Sequence, residues 1–190
     1  MWEAERFQRS AALGRRSCHV RKPPDIGTRR RYFCDMKEHT FCIVPLSQDF
    51  VGEIRSTRKD RNGNAVAVRS DAGRHQCRRC LRLTEPEEPH LLLSYTPFAS
   101  TQPYAETGPI FIHERECEAY RATAEYPPEF PHHDVALRAY TATDEIADAR
   151  LVGPDRVEDV IAGLFENDRV SHIHARNGGY GCFMFRIDRP

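Results

Sequence analysis

The sequence predicts an α+β fold: a mainly antiparallel sheet of short strands, covered by one long C-terminal helix and one or two short helices. Three observations carry this expectation. Apolar runs are short and are cut by proline, glycine and asparagine turns, as in a meander of small strands. One segment, residues 154–167, has a sustained helical stripe of Val157, Val160, Ile161, Leu164 and Phe165. No apolar run approaches the roughly 20 residues that span a bilayer, so no membrane partner is expected.

In chain order, residues 41–46 are apolar enough for a strand, and 48–55 suit a short helix. A Val-rich strand at 65–69 follows the turn Asn62-Gly63-Asn64. Residues 91–95 and 110–113 are read as buried strands on either side of a Pro- and Thr-rich loop. Residues 114–122 suit a short helix, stopped by Pro127, Pro128 and Pro131. Strands follow at 135–141 and 146–152. The long helix then begins at Pro154, which fits a first helical position, with Asp155, Glu158 and Asp159 where the helix dipole favours negative charge.

The chain has 190 residues, with 39% hydrophobic and 29% charged, which suits a soluble globular chain with one core. Its net charge of zero hides an asymmetry. Residues 1–35 carry nine basic and four acidic residues, and the remainder is acidic by the same margin. Residues 1–35 lack any helical or strand period, so a basic, disordered extension is expected, with Met36 as an alternative start and 36–190 as one globular domain. An acidic body does not favour nucleic acid, which needs cations to displace counterions from phosphate. Seven cysteines, an odd number without an export signal, point to a reducing cytoplasmic compartment with free or metal-bound thiols.

The chemistry centres on Cys77-Arg-Arg-Cys80. With His113 and Cys117 it makes two pairs, each able to bite one ion, and zinc is the cofactor that four such nitrogen and sulfur ligands admit. His174 and Cys182 could replace the second pair. A separate reading makes Cys77 and Cys182 nucleophilic thiols, because Arg74, Arg78, Arg79 and Arg82 surround the motif and nearby cations favour thiolate; His174 would be the base. A third reading is not enzymatic. There a small anionic ligand is held by Arg78 and Arg186, with Tyr104 and His113 lining the pocket. Glu114, Glu116 and Glu118 are read as a solvated face, and His132-His133 as exposed loop residues. No phosphate-binding glycine loop or nucleophile elbow is present.

The last two strands, 170–176 and 180–189, are read as a hairpin. Matching their apolar faces sets Ile173 opposite Phe183 across a three-residue loop and puts His174 opposite Cys182. Cys77 and Cys182 are expected to approach each other.

Cys77-Arg78 followed by Leu81, then Leu91-Leu92-Leu93, Pro103-Tyr104, Ile110-Phe111, Leu164-Phe165 and Gly181-Cys182 with Arg186, Asp188 and Arg189, follow one another in a familiar order. In these the chain resembles the bacterial domain-of-unknown-function 1203 family over about residues 36–190. The resemblance carries Cys77, Arg78, Cys182 and Arg186, and it implies no assigned activity.

Overall fold

The computed structural model describes residues 40–99, 101–130 and 133–190. The expectations for residues 1–35 and for a start at Met36 lie outside the described residues, as does His132; His133 is exposed. Eight strands form two antiparallel sheets: β1 (Cys42–Val44), β2 (Ala67–Arg69), β3 (His90–Tyr95), β4 (Gly108–His113), β5 (Val135–Tyr140), β6 (Ile146–Val152), β7 (His172–Asn177) and β8 (Phe183–Asp188). The larger sheet runs β1-β8-β7-β5-β6 and the smaller β2-β3-β4.

The architecture is mostly sheet with two short helices, which corrects the expected α+β arrangement under a long C-terminal helix. Helix α1 spans Gln48–Thr57. The segment after β6 forms a three-residue 3-10 turn, Pro154–Arg156, and then only nine residues of helix α2, Val157–Phe165. The side chain of Asn167 accepts the Arg169 amide at 3.0 Å and its carbonyl accepts the Val170 amide at 2.9 Å. These local bonds turn the chain into β7 where the stripe alone allowed helix to continue.

The helix expected at 114–122 does not form either. Its amides have partners elsewhere: Glu114 N–H donates to Pro89 O at 3.2 Å and Tyr120 N–H to Arg79 O at 3.0 Å. Tertiary partners satisfy the backbone, so a helical ladder is not needed. By contrast α1 appears where expected. The Ser47 hydroxyl caps it by accepting from Phe50 N–H at 3.2 Å, and left-handed Arg58, at φ 54°, ends it.

The hairpin of β7 and β8 is real, but its register is not the expected one. Ile173 faces Ile187, Ala175 faces Phe185, and His174 faces Arg186 instead of Cys182. A bulge after Ala175 sets Arg176 against Phe183 and turns Phe183 to the face opposite Phe185. The connection is correspondingly longer. Asn177 Oδ1 accepts the amides of Gly179 and Tyr180 at 3.0 and 2.8 Å, and Gly181 takes φ 71°. Gly178 packs so closely that a Cβ there would meet Asp134 O at 2.6 Å, which only glycine avoids.

Two apolar cores result. In the first, Leu137, Ala139, Ile173, Ala175, Phe185 and Ile187 of the larger sheet pack against Val157, Ile161, Leu164 and Phe165 of α2. In the second, Phe50, Val51 and Ile54 of α1 pack with Leu91, Leu93, Ile110, Ile112, Phe183, Cys77 and Cys80. Each fully buried aliphatic chain contributes about 1.5–3 kcal/mol. The opposite face of the larger sheet is polar and carries His172, His174, Arg176 and, by pairing, Arg138, Tyr140 and Arg186. No helix among the described residues is long and apolar enough to cross a membrane.

Candidate functional site

Residues 76–83 form a tight turn. Gln76 bridges Leu83, Cys77 N–H donates to Arg82 O at 2.9 Å, and Leu81 N–H donates to Cys77 O at 2.9 Å. Leu81 takes φ 58°, a conformation that costs a β-carbon-bearing residue about 1–2 kcal/mol. Its side chain is 1% exposed in the first core, while Cys77 and Cys80 belong to the second. The strained turn thus joins the two cores, and burial of Leu81 offsets its cost. Arg78 N–H donates to Phe111 O at 3.0 Å and docks the turn on β4, which ends at His113. Cys117 arrives from the irregular segment beyond.

The donor atoms of Cys77, Cys80, His113 and Cys117 all lie within 4.8 Å of one another. Cys77 Sγ is 3.8 Å from Cys117 Sγ, and Cys80 Sγ is 3.6 Å from His113 Nδ1. Backbone and guanidinium donors surround the sulfurs. Cys77 Sγ accepts from Arg79 N–H at 3.4 Å and His113 N–H at 3.5 Å. Arg55, in the last turn of α1, donates to Cys117 Sγ at 3.6 Å and to His113 O at 3.2 and 3.1 Å. The hydrogen bond to Cys80 raises the pKa of Arg82. Donors of this kind favour thiolate over thiol.

Without a cation Cys77 and Cys117 hold their protons. The Cys77 pKa is raised, first by its hydrogen bond with Cys117, and burial adds to this. At Cys117 that same bond is the largest influence and acts downward, yet the Cys80 contact and burial outweigh it and the net shift is upward. The opposite signs have one cause: a single proton shared between two sulfurs makes one the donor and the other the acceptor. The His113 pKa is raised, first by Cys80 Sγ. A divalent ion would invert this logic, because it deprotonates the thiols that bind it.

A second polar cluster occupies the other face of the larger sheet. His174 is fully buried, His172 is 2% exposed and Arg176 is 4% exposed. Burial lowers the pKa of His172 to about 4 and of His174 to about 2, with Arg186 adding to both shifts and His172 and Arg176 to the second. Both imidazoles are therefore neutral at pH 7. Glu106 bridges Arg138 at 2.7 Å and Arg176 at 2.8 Å. The Glu106 pKa is lowered: burial, the largest influence, acts upward, and the two arginines together outweigh it. Phe98 packs 4.8 Å from the His174 ring and 5.1 Å from the Tyr140 ring.

The structure therefore brings together Cys77, Cys80, His113 and Cys117, as the paired spacings suggested. Cys182 is outside that group, but the Arg78 guanidinium, whose Nη2 lies 3.3 Å from Cys182 Sγ, interacts with both Cys182 and Cys77. Arg78 is 2% exposed and also donates to Phe183 O and Gln76 O, at 2.7 and 2.5 Å. Tyr104 is 42% exposed, and Arg186 pairs with Asp188 at 2.5 Å. Sequence reasoning missed Arg138, Tyr140, Arg176 and Glu106, although the alternation His172-x-His174-x-Arg176 marked one face of a strand. It also missed Asp71, His75 and His90, whose donor atoms likewise lie within 4.8 Å. Asp71 there already accepts from His75 at 3.0 Å and from Gly73 N–H at 2.9 Å.

No curated protein and no solved structure matches the chain. A family model described as Protein of unknown function (DUF1203) matches residues 74–189. The match takes in all four clustered donors and both polar faces of β7 and β8, and it is shorter than the expected 36–190, leaving β1, α1 and β2 outside. On this match, covering more than half of its length, the chain belongs to the DUF1203 family.

Proposed function

We propose that the protein binds one zinc ion through Cys77, Cys80, Cys117 and Nδ1 of His113, and that this ion is structural. One observation carries the reading. A tetrahedral zinc ion with Zn–S of about 2.3 Å and Zn–N of about 2.0–2.1 Å sets its ligands about 3.8 Å apart for sulfur pairs and about 3.6 Å for sulfur and nitrogen. The separations here are 3.8 Å between Cys77 and Cys117 and 3.6 Å between Cys80 and His113. Three thiolates and an imidazole suit zinc, and four protein ligands leave no open position for a substrate. His113 Nε2 faces Glu88 at 3.8 Å, on the side where metal-binding histidines keep a carboxylate.

Elemental analysis of purified protein, with thiol counting before and after chelation, tests the reading. One zinc per chain and three thiols that become reactive only after chelation are expected. Protein free of metal whose thermal midpoint does not respond to added zinc would refute it. A second reading places thiol chemistry at Cys182, favoured by the Arg78 guanidinium against its half-buried sulfur. Selective alkylation of Cys182 in zinc-loaded protein is its test, and labelling no faster than that of a surface thiol would remove it.

A further inference from the structure

We propose that the polar face of the larger sheet binds a small monocarboxylate, seated on the Nε–Nη2 edge of Arg176 and contacted by His174, His172 and Tyr140. The proposal goes beyond the zinc site and does not depend on it.

On this face six buried polar atoms have no hydrogen-bond partner among the described residues. Among the described residues, Arg176 Nε and Nη2, both ring nitrogens of His174 and His172 Nε2 are buried and make no hydrogen bond, and the buried Tyr140 hydroxyl, which the Arg138 guanidinium approaches, has its own proton unpaired. Buried polar groups of this kind are almost always paired, so a group of them on one surface calls for a ligand. The residues share a face: His172, His174 and Arg176 alternate along β7, Tyr140 is opposite His172, and its ring centroid lies 4.8 Å from that of His174.

The chemistry of the unpaired atoms selects the ligand class. Arg176 donates through Nη1 to Glu106 and to Gly181 O, at 2.8 and 3.1 Å. This leaves its Nε and Nη2, which are donors only and match the two oxygens of a planar oxyanion. Each neutral imidazole donates from one ring nitrogen and accepts at the other, and the phenol hydroxyl can donate one bond. With the Arg176 edge, donors outnumber acceptors on this face, so the ligand must be rich in acceptors.

Charge selects among oxyanions. The guanidiniums of Arg138, Arg176 and Arg186 are matched on this face by Glu106, by Asp188 at 2.5 Å from Arg186, and by Asp144 at 3.8 Å from His172. A single added charge suits such a balanced site better than the double charge of phosphate. Phe98 and Phe183, with ring centroids 4.8 and 5.3 Å from His174, give the remainder of the ligand an apolar wall. Benzoate and acetate are thus suitable probes, with inorganic phosphate as the contrast.

The test uses the full zinc-loaded chain at pH 7 and constant ionic strength, titrated calorimetrically with each probe, while ring nitrogens are followed by NMR on histidine-labelled protein. Benzoate should bind saturably and more tightly than acetate, and phosphate should bind at least roughly tenfold more weakly than benzoate. The His174 resonances should move along the benzoate isotherm. Arg176→Lys keeps the charge and loses the fork, so it should weaken benzoate binding at least roughly tenfold with zinc content and cooperative unfolding unchanged. Should that variant fail to fold, the His174 shifts in the unaltered protein decide. Absence of saturable carboxylate binding, tighter binding of phosphate, or binding that leaves His174 unmoved would each overturn the proposal.

Discussion

The sulfur cluster and the histidine face are both buried and both polar, and they differ in whether the chain completes them. Around Cys77, Cys80, His113 and Cys117 the donors converge from three directions on one point, and backbone amides and Arg55 finish the surroundings. Along β7 and β5 the polar groups lie side by side on a sheet face, and six buried atoms there have no hydrogen bond among the described residues. Convergent geometry suits an ion that holds structure together. A lateral array suits a ligand that comes and goes. An ion bound in the first would be a source of stability. The second costs stability, because each unpaired buried group carries a penalty of about 1–3 kcal/mol.

The largest expected effect lies in the sulfur cluster. Cys117→Ser should abolish stoichiometric zinc and lower unfolding free energy by about 3 kcal/mol or more, since metal binding to a folded site contributes directly to folding. Urea denaturation of metal-replete wild type and variant measures this, and equal midpoints would show that the convergence at Cys117 stabilises nothing.

Next comes a pH effect confined to the histidine face. His172 has a folded pKa of about 4 and His174 of about 2, against about 6.5 unfolded. Below pH 6.5 the unfolded chain binds protons that the folded chain refuses, so stability falls as pH drops from about 6.5 toward 4. The slope is about 1.4 kcal/mol per pH unit for each histidine. The double variant His172→Gln, His174→Gln should lose this slope. Its difference from wild type in urea unfolding at pH 7, 6 and 5 removes any contribution from zinc release, and parallel curves would contradict the burial argument.

A smaller effect tests the support of the sulfur cluster. Arg55→Met removes the guanidinium from Cys117 Sγ and His113 O. Zinc affinity, measured by competition with a chelator, should drop about 10–100-fold while the fold persists. The smallest effect concerns the histidine face. Glu106→Gln replaces a half-exposed carboxylate bridging Arg138 and Arg176, so its cost should be about 1 kcal/mol by thermal denaturation. A loss of several kcal/mol would make Glu106 a structural keystone instead of a tether.

Strand positions were legible because period and turn chemistry are local: residues 146–152 form β6, and β3, β4 and β5 begin or end within two residues of their sequence-based bounds. The pairing of Cys77 with Cys80 and of His113 with Cys117 was suggested by spacing, but extended chain would hold such residues about 10–13 Å apart, so the tight turn at 76–83 and its docking on β4 were what brought the four donor atoms within 4.8 Å. Only tertiary structure could decide the rest. Whether residues 114–122 coil into a helix depended on Pro89 and Arg79 offering carbonyls to Glu114 and Tyr120. The hairpin register depended on a bulge at Ala175, which alternation along one strand cannot reveal. The histidine face needed Phe98 and Glu106 to cover it from a segment some 70 residues away, and burial of polar atoms is a property of the packed molecule. Sequence thus determined what short-range sterics and spacing control, and packing decided which backbone groups found partners and which side chains were left without one.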